Sequence, residues 1–302
     1  MRFYTALLVM AATLLVGVAP AHAGLLVGIG EQSPKMFSDA GYAALGVHHA
    51  RYVAPWDALH DPWETTKLDS YLLDAKARGT RVLLSFGRSN RHIRTLPSAT
   101  TLAREFKRFR ARYPWVTDYV TWNEANHCSQ PTCRRPDRVA RYYVALKRAC
   151  LRCKIVAADL LDDSRIATWA GAFLDVAGRD RKLIWGLHNY IDANRFRTRG
   201  TRALLKATKG EVWFTETGGI VKRKKDAQVP LPASPEHAAR AARWVFRLAA
   251  LSPRVKRIYF YHWTPPTNPR ATWDSALTNA NGTPRPAYTV VRNWLRRERA
   301  RH

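Results

Sequence analysis

From Gly24 onward, short apolar runs alternate with amphipathic stretches. The runs cover 25–30, 47–53, 81–87, 118–123, 155–160, 183–188, 212–215 and 258–263. Each is rich in Val, Ile, Leu or aromatic residues and is bounded by Gly, Pro, Asn or Asp. Nearly continuous hydrophobicity is what a strand covered on both faces requires, so these runs predict buried parallel strands. Between them, apolar positions recur at helical spacing over 34–45, 68–78, 101–113, 137–149, 166–177, 202–208, 235–251 and 286–297. Capping signals agree with this division. Ser234 followed by Pro235 and Glu236 opens one helix, and Gly79 closes another. Over 238–251, Ala, Val, Phe and Leu share one helix face, against Arg240, Arg243 and Arg247 on the other.

Eight strand–helix units in about 280 residues predict a single (β/α)8 TIM barrel spanning 24–302. An open doubly wound sheet would be expected to carry a glycine-rich phosphate turn after its first strand. Here Gly28-Ile29-Gly30 leads into Glu31-Gln32, which is not that fingerprint, and no Pro/Ser-rich linker divides the chain.

The first 23 residues have a different character. Arg2 precedes an apolar run from Ala6 to Val18, and Ala21-His22-Ala23 forms a small-x-small cleavage pattern. This is the layout of a secretory signal peptide, with cleavage expected before Gly24. A membrane anchor is the competing reading, but the run is shorter than the roughly 20 residues that span a bilayer. The expected mature protein is secreted, with no integral membrane association, and is expected to be a monomer.

Charge changes the picture next. The chain carries +27 at pH 7 with a pI near 10.7, and loss of the leader removes only Arg2. Such a balance favours acidic surroundings: nucleic acid, an anionic cell envelope or a polyanionic substrate. Arg is spread along the whole chain with no zinc-finger or basic-zipper pattern, and export argues against nucleic acid as a partner. The longest basic run is Lys222-Arg223-Lys224-Lys225. The four cysteines form a C-x4-C pair, Cys128 and Cys133, and a C-x2-C pair, Cys150 and Cys153. Two local disulfides fit an oxidising compartment; zinc or crossed pairing are the other arrangements.

In a TIM barrel the chemistry sits at the C-terminal ends of strands. The fourth run gives out at Thr121-Trp122-Asn123-Glu124-Ala125-Asn126, the seventh at Thr215-Glu216-Thr217-Gly218-Gly219. Two carboxylates on nearly opposite strands, each beside aromatic residues, are the apparatus of glycosidic bond hydrolysis. Asp162-Asp163 lacks the ligand spacing of a calcium loop, and Ser85 stands in no nucleophile-elbow pattern.

Trp122-Asn123-Glu124-Ala125-Asn126 resembles the Trp-Asn-Glu-Pro-Asn signature of clan A glycoside hydrolases, the (β/α)8 retaining enzymes related to families 5 and 39. Arg51 at the end of the second run, His188-Asn189-Tyr190 at the sixth and Trp263 at the eighth fall in that clan's order. The tail from Asp274 to Tyr288 resembles the closing segment of such barrels. Ala125 departs from the clan's proline. The resemblance implies Glu124 as acid/base and Glu216 as nucleophile. It implies Asn123 on a sugar hydroxyl, Arg51 and Tyr190 on Glu216, His188 shaping the pocket and Trp263 as a sugar platform. Glu31, Trp56 and Trp273 are further subsite candidates. Glu124, as the acid, is expected to have a raised pKa.

The function read from these residues is a secreted retaining glycoside hydrolase acting on an oligo- or polysaccharide, with no cofactor and no metal. Basic residues in the loops expected at the catalytic face, among them Arg88, Arg91, Arg94, Arg195, Arg197 and Arg199, add the expectation of an anionic wall or extracellular glycan. A catalytically inactive barrel serving as an envelope carbohydrate-binding or adhesion protein is the reading it competes with.

Overall fold

The computed structural model describes residues 24–179, 182–224, 227 and 229–301. The proposed leader lies outside them, as does Lys225 of the basic run. Eight parallel strands close into a barrel: β1 (Leu26–Gly30), β2 (His49–Pro55), β3 (Arg81–Gly87), β4 (Asp118–Val120), β5 (Lys154–Leu161), β6 (Ile184–His188), β7 (Val212–Thr217) and β9 (Val255–Tyr261). They follow one another around the ring in chain order, and β9 pairs back onto β1. Between β7 and β9, a two-residue strand β8 (Lys222–Arg223) pairs antiparallel with β10 (Trp273–Asp274), outside the barrel. The chain is a single TIM barrel, as its hydrophobic rhythm predicts.

The helices are α1 (Ala40–Leu45), α2 (Pro62–Ala77), α3 (Ala99–Arg112), α4 (Pro136–Ala149), α5 (Ile166–Ala177), α6 (Tyr190–Asn194), α7 (Arg199–Ala207), α8 (Pro235–Ala249) and α9 (Pro286–Arg299). Ser234 caps α8 by accepting from the His237 N–H, with Pro235 in the first turn as expected. Three departures have local causes. The stretch 34–45 divides into a 3-10 turn (Pro34–Ser38) and α1, because Asp39 breaks in and caps Gly41 and Tyr42. Helix α2 starts at Pro62, earlier than its apolar repeat, because Asp61 caps Trp63 and Glu64. Helix α6 is a single turn, too short to show a periodic pattern.

Two cores result. The larger lies between barrel and helices and includes Ile29, Leu84, Phe86, Phe106, Leu146 and Phe173. The smaller fills the barrel itself: Leu83, Val120, Val156, Trp213 and Tyr259, all fully or almost fully buried. At the strand starts, beneath this layer, Arg257 donates to Asp118 at 2.5 Å and to the Tyr259 hydroxyl at 3.2 Å, with its guanidinium over the Trp213 ring. Above the layer, towards the strand ends, the inward side chains become polar and form the site.

Candidate active site

Strand register assembles the cluster. Gly30 on β1 stands beside Arg51 on β2 and Tyr261 on β9, while His188 on β6 stands beside Glu216 on β7. Glu124 follows β4 in a turn where its backbone takes φ = 46°, a left-handed conformation that costs a non-glycine residue about 1–3 kcal/mol. The turn is held by hydrogen bonds from the Asn123 N–H to the Phe86 carbonyl and from the Ala125 N–H to that of Asp159. Asn126 adds a side-chain bracket, accepting from the Leu161 N–H and donating to the Leu161 carbonyl. Ala125 is fully buried at the position where the resembling clan has proline.

Arg51 is the hub. Its buried guanidinium donates to Glu216 Oε2 at 2.7 Å, Asn123 Oδ1 at 2.6 Å and Asp159 Oδ2 at 2.8 Å. The Tyr190 hydroxyl donates to the other oxygen of Glu216 at 3.1 Å. His188 is fully buried, with Nδ1 at 3.3 Å from Glu124 Oε1 and Nε2 at 3.4 Å from Asp159 Oδ2. One carboxylate oxygen of Glu124, one of Glu216 and a ring nitrogen of His188 lie within 4.8 Å of one another. The sequence-derived set Glu124, Glu216, Asn123, Arg51, His188 and Tyr190 therefore meets at one point.

Three carboxylates surround two cations there. Burial opposes charge on His188, but Glu216 and Asp159 outweigh it and push its pKa up to about 9. Asp159 is held far below the usual carboxylate range: burial acts against it, and Arg51 and His188 prevail. Glu124 departs from expectation. Burial raises its pKa, as an acid catalyst needs, yet the hydrogen bond and charge of His188 more than cancel this and leave it below its ordinary value. The proton therefore rests on His188, one contact away from Glu124. Glu124, His188 and Glu216 have the spacing of metal ligands, but metal binding needs a deprotonated imidazole. The high proton affinity of His188 and the adjacent Arg51 charge oppose a dication.

Trp263 does not serve as the expected platform. Its side chain is 1% exposed and packs edge-on against Tyr42 and Tyr288, outside the barrel. Arg257, Tyr259 and Tyr261 alternate inward along β9, but the strand ends at Tyr261, so the alternation no longer governs Trp263. The Tyr261 phenol feels the charges of Glu216 and Glu31, and its ring occupies space that a Cβ on Gly30 would contest at 3.2 Å. Glu31 acts as a clamp. Its carboxylate accepts from the N–H groups of Gln32, Ser33, Trp263 and Thr264, tying the end of β1 to that of β9. Trp273 packs edge-on against Tyr190 at 4.8 Å.

Sequence reasoning missed Asp159, which also accepts from Ser85 at 3.0 Å and from Thr215 at 2.5 Å. The available signal was an acid inside an otherwise apolar strand, where an ion needs a partner. It also missed Asp162 as an anchor. The Asp162 carboxylate accepts from the Ile191 and Asp192 N–H groups at 3.2 and 2.6 Å and so fixes the start of α6, which carries Tyr190. In the loop after Glu124, Cys128 is bonded to Cys133, and at the end of α4 Cys150 is bonded to Cys153, the local pairing expected.

No family model and no curated protein matches the sequence. Solved structures do match in fold. Xylanase 10B from Thermotoga maritima aligns with a TM-score of 0.64 at 12% identity, over 93% of this chain and 98% of that one. GH5_18 from Streptomyces cattleya in complex with GlcNAc aligns at 0.63 and 17% identity, over 92% and 81%. A family 39 glycoside hydrolase from Bacteroides cellulosilyticus aligns at 0.60 and 15% identity, over 90% and 64%. At these identities the likeness is one of fold, and the functional argument stays with the residues.

Proposed function

We propose that this chain is a secreted retaining glycoside hydrolase, with Glu216 as nucleophile and Glu124 as acid/base. The observation that carries the reading is the spacing of the two acids: one carboxylate oxygen of each within 4.8 Å of the other. Retaining enzymes hold their carboxyl groups about 5–5.5 Å apart, whereas inverting ones leave about 6.5–9.5 Å for a water. The similar folds of a xylanase and of family 5 and family 39 enzymes lend support.

In this mechanism Arg51 and Tyr190 hold both oxygens of Glu216, so one is aimed at the anomeric carbon. As Glu216 forms the ester bond, the glycosidic bond breaks and its electron pair stays on the leaving oxygen. Glu124 protonates that oxygen, with the proton supplied across the contact to His188. Glu124 then takes a proton from water, the oxygen of that water attacks the anomeric carbon, and Glu216 departs. Asn123, oriented by Arg51, faces the sugar hydroxyl beside the reacting carbon. Tyr261 takes the platform role that Trp263 cannot fill. The leader pattern supports export, and Arg88 beside the site supports an anionic glycan as substrate.

The test is product stereochemistry. NMR of the first-formed sugar from an aryl glycoside or oligosaccharide panel is expected to show retained configuration, with no turnover by Glu216→Gln. Inverted product, or equal behaviour of the two proteins, overturns the assignment.

A further inference from the structure

A recess of about 290 Å³ opens beside Asn123, between the ends of β2 and β3 and the first turns of α2. Its volume lies at the small end of ligand pockets (about 300 Å³ upward), so it suits one sugar unit rather than an extended ligand. Asn123 joins it to the reaction centre, because the side chain that receives Arg51 also lines the recess. A chain held at the catalytic acids can therefore place a neighbouring unit there.

Three features of the lining select the chemistry of that unit. Trp63 is 64% exposed at the start of α2, an uncommon position for so large an apolar surface. The Lys67 ammonium rests 3.6 Å from the centroid of the Trp63 ring, without a carboxylate partner among the described residues. Arg88 gives one N–H to the Ser129 carbonyl at 2.6 Å and likewise has no carboxylate partner among them. The one acid in the lining, Glu64, is buried and already accepts from the Asn90 amide at 2.7 Å. The recess thus presents an aromatic face and two uncompensated cations, with its single carboxylate turned to an internal bond.

We propose that this recess binds an anionic sugar unit next to the cleavage point, its ring against Trp63 and its oxyanion between Lys67 and Arg88. The proposal rests on the hydrolase reading and specifies its substrate class: a glycan bearing carboxylate or phosphate groups on units adjoining the cleaved bond. Lys67 already lies on the aromatic ring, so an arriving anion meets a cation beside a sugar-stacking surface. Arg88, tethered through one nitrogen, keeps the rest of its fork for a planar or tetrahedral oxyanion.

The full-length protein carrying Glu216→Gln, which binds without turnover, is applied to arrayed oligosaccharides of matched backbone in neutral, uronate-bearing and phosphate-bearing forms. Binding at least about tenfold tighter to one acidic form than to its neutral counterpart is expected, as charge-assisted hydrogen bonds provide. Adding Lys67→Ala with Arg88→Ala should bring the acidic form to within about twofold of the neutral one, with the melting temperature measured to show that the fold is kept. The uronate and phosphate arms identify which oxyanion is read. Equal binding of neutral and acidic forms, or a preference that survives loss of both cations, overturns the proposal. Wild-type turnover of short aryl glycosides, which do not reach the recess, separates the two levels. Turnover there without acidic preference removes the recess alone; absence of turnover on every glycoside removes the hydrolase reading and the recess with it.

Discussion

Asp159 and Glu216 face each other across a single guanidinium: Arg51 Nη2 donates to one at 2.8 Å and Nη1 to the other at 2.7 Å. Asp159 also lies 3.4 Å from His188 Nε2, so its charge acts on both cations of the site. Replacing Asp159 with Asn keeps the shape and removes that charge. The proton affinity of His188 then falls, and the alkaline limb of kcat/KM, expected near pH 9 for the coupled His188–Glu124 pair, moves to lower pH. A pH–rate profile checks this, since a purely structural role would lower the rate and leave the limb in place.

The Tyr190 hydroxyl contributes one of the two side-chain contacts that aim Glu216. Tyr190→Phe deletes one neutral donor to a carboxylate, and about a tenfold loss in formation of the glycosyl-enzyme is expected. Pre-steady-state kinetics should place the loss in kcat, with little change in KM.

Glu124 and Glu216 should separate by leaving group. Loss of Glu124 as Ala is expected to slow glycosides with poor leaving groups far more than activated aryl glycosides, because only the former need protonation. Loss of Glu216 is expected to slow all of them. A Brønsted series of aryl glycosides on both variants reads this out.

Stability should decline on the alkaline side. His188 is raised from 6.5 to about 9, so its contribution is complete below pH 6.5 and is lost as pH rises through 9. Asp162 is raised by burial and by Asp192 from 3.8 to about 7, so it contributes fully below 3.8 and is lost through 7. Both act in the same direction, and melting temperatures are expected to fall between pH 6 and pH 10. An unchanged Tm across that range would contradict the charge assignments.

The cysteines give a simple count. Alkylation of the denatured, unreduced protein should label none, and four labels should follow reduction. Mass spectrometry distinguishes the two states.

The barrel was legible because buried strands and amphipathic helices leave periodic marks. Glu124, Glu216, His188 and Tyr190 were legible because each stands where an apolar run gives out, whereas Arg51, inside β2, was legible only through the family resemblance. Asp159 was hidden because it lies inside such a run, and its function appears only once Arg51, 108 residues away in sequence, is brought beside it. Trp263 misled for a geometric reason. Being near a strand end does not fix the direction of a side chain: β9 stops at Tyr261, the last residue its alternation turns into the mouth, and Trp263 lies beyond it. Asp162 was passed over because the single helical turn it anchors has no period to detect.

The apolar layer of Leu83, Val120, Val156, Trp213 and Tyr259 lies between the Asp118–Arg257 pair and the catalytic charges. It acts as an insulating partition. It separates the buried Asp159 and His188 from the bottom of the barrel, so their proton exchange with solvent is expected through the mouth, where the proposed substrate would sit. On the proposed hydrolase reading, a bound glycan would isolate the cluster with the protons it already holds, and the first half of the reaction would draw on that fixed inventory until the leaving group makes room for water.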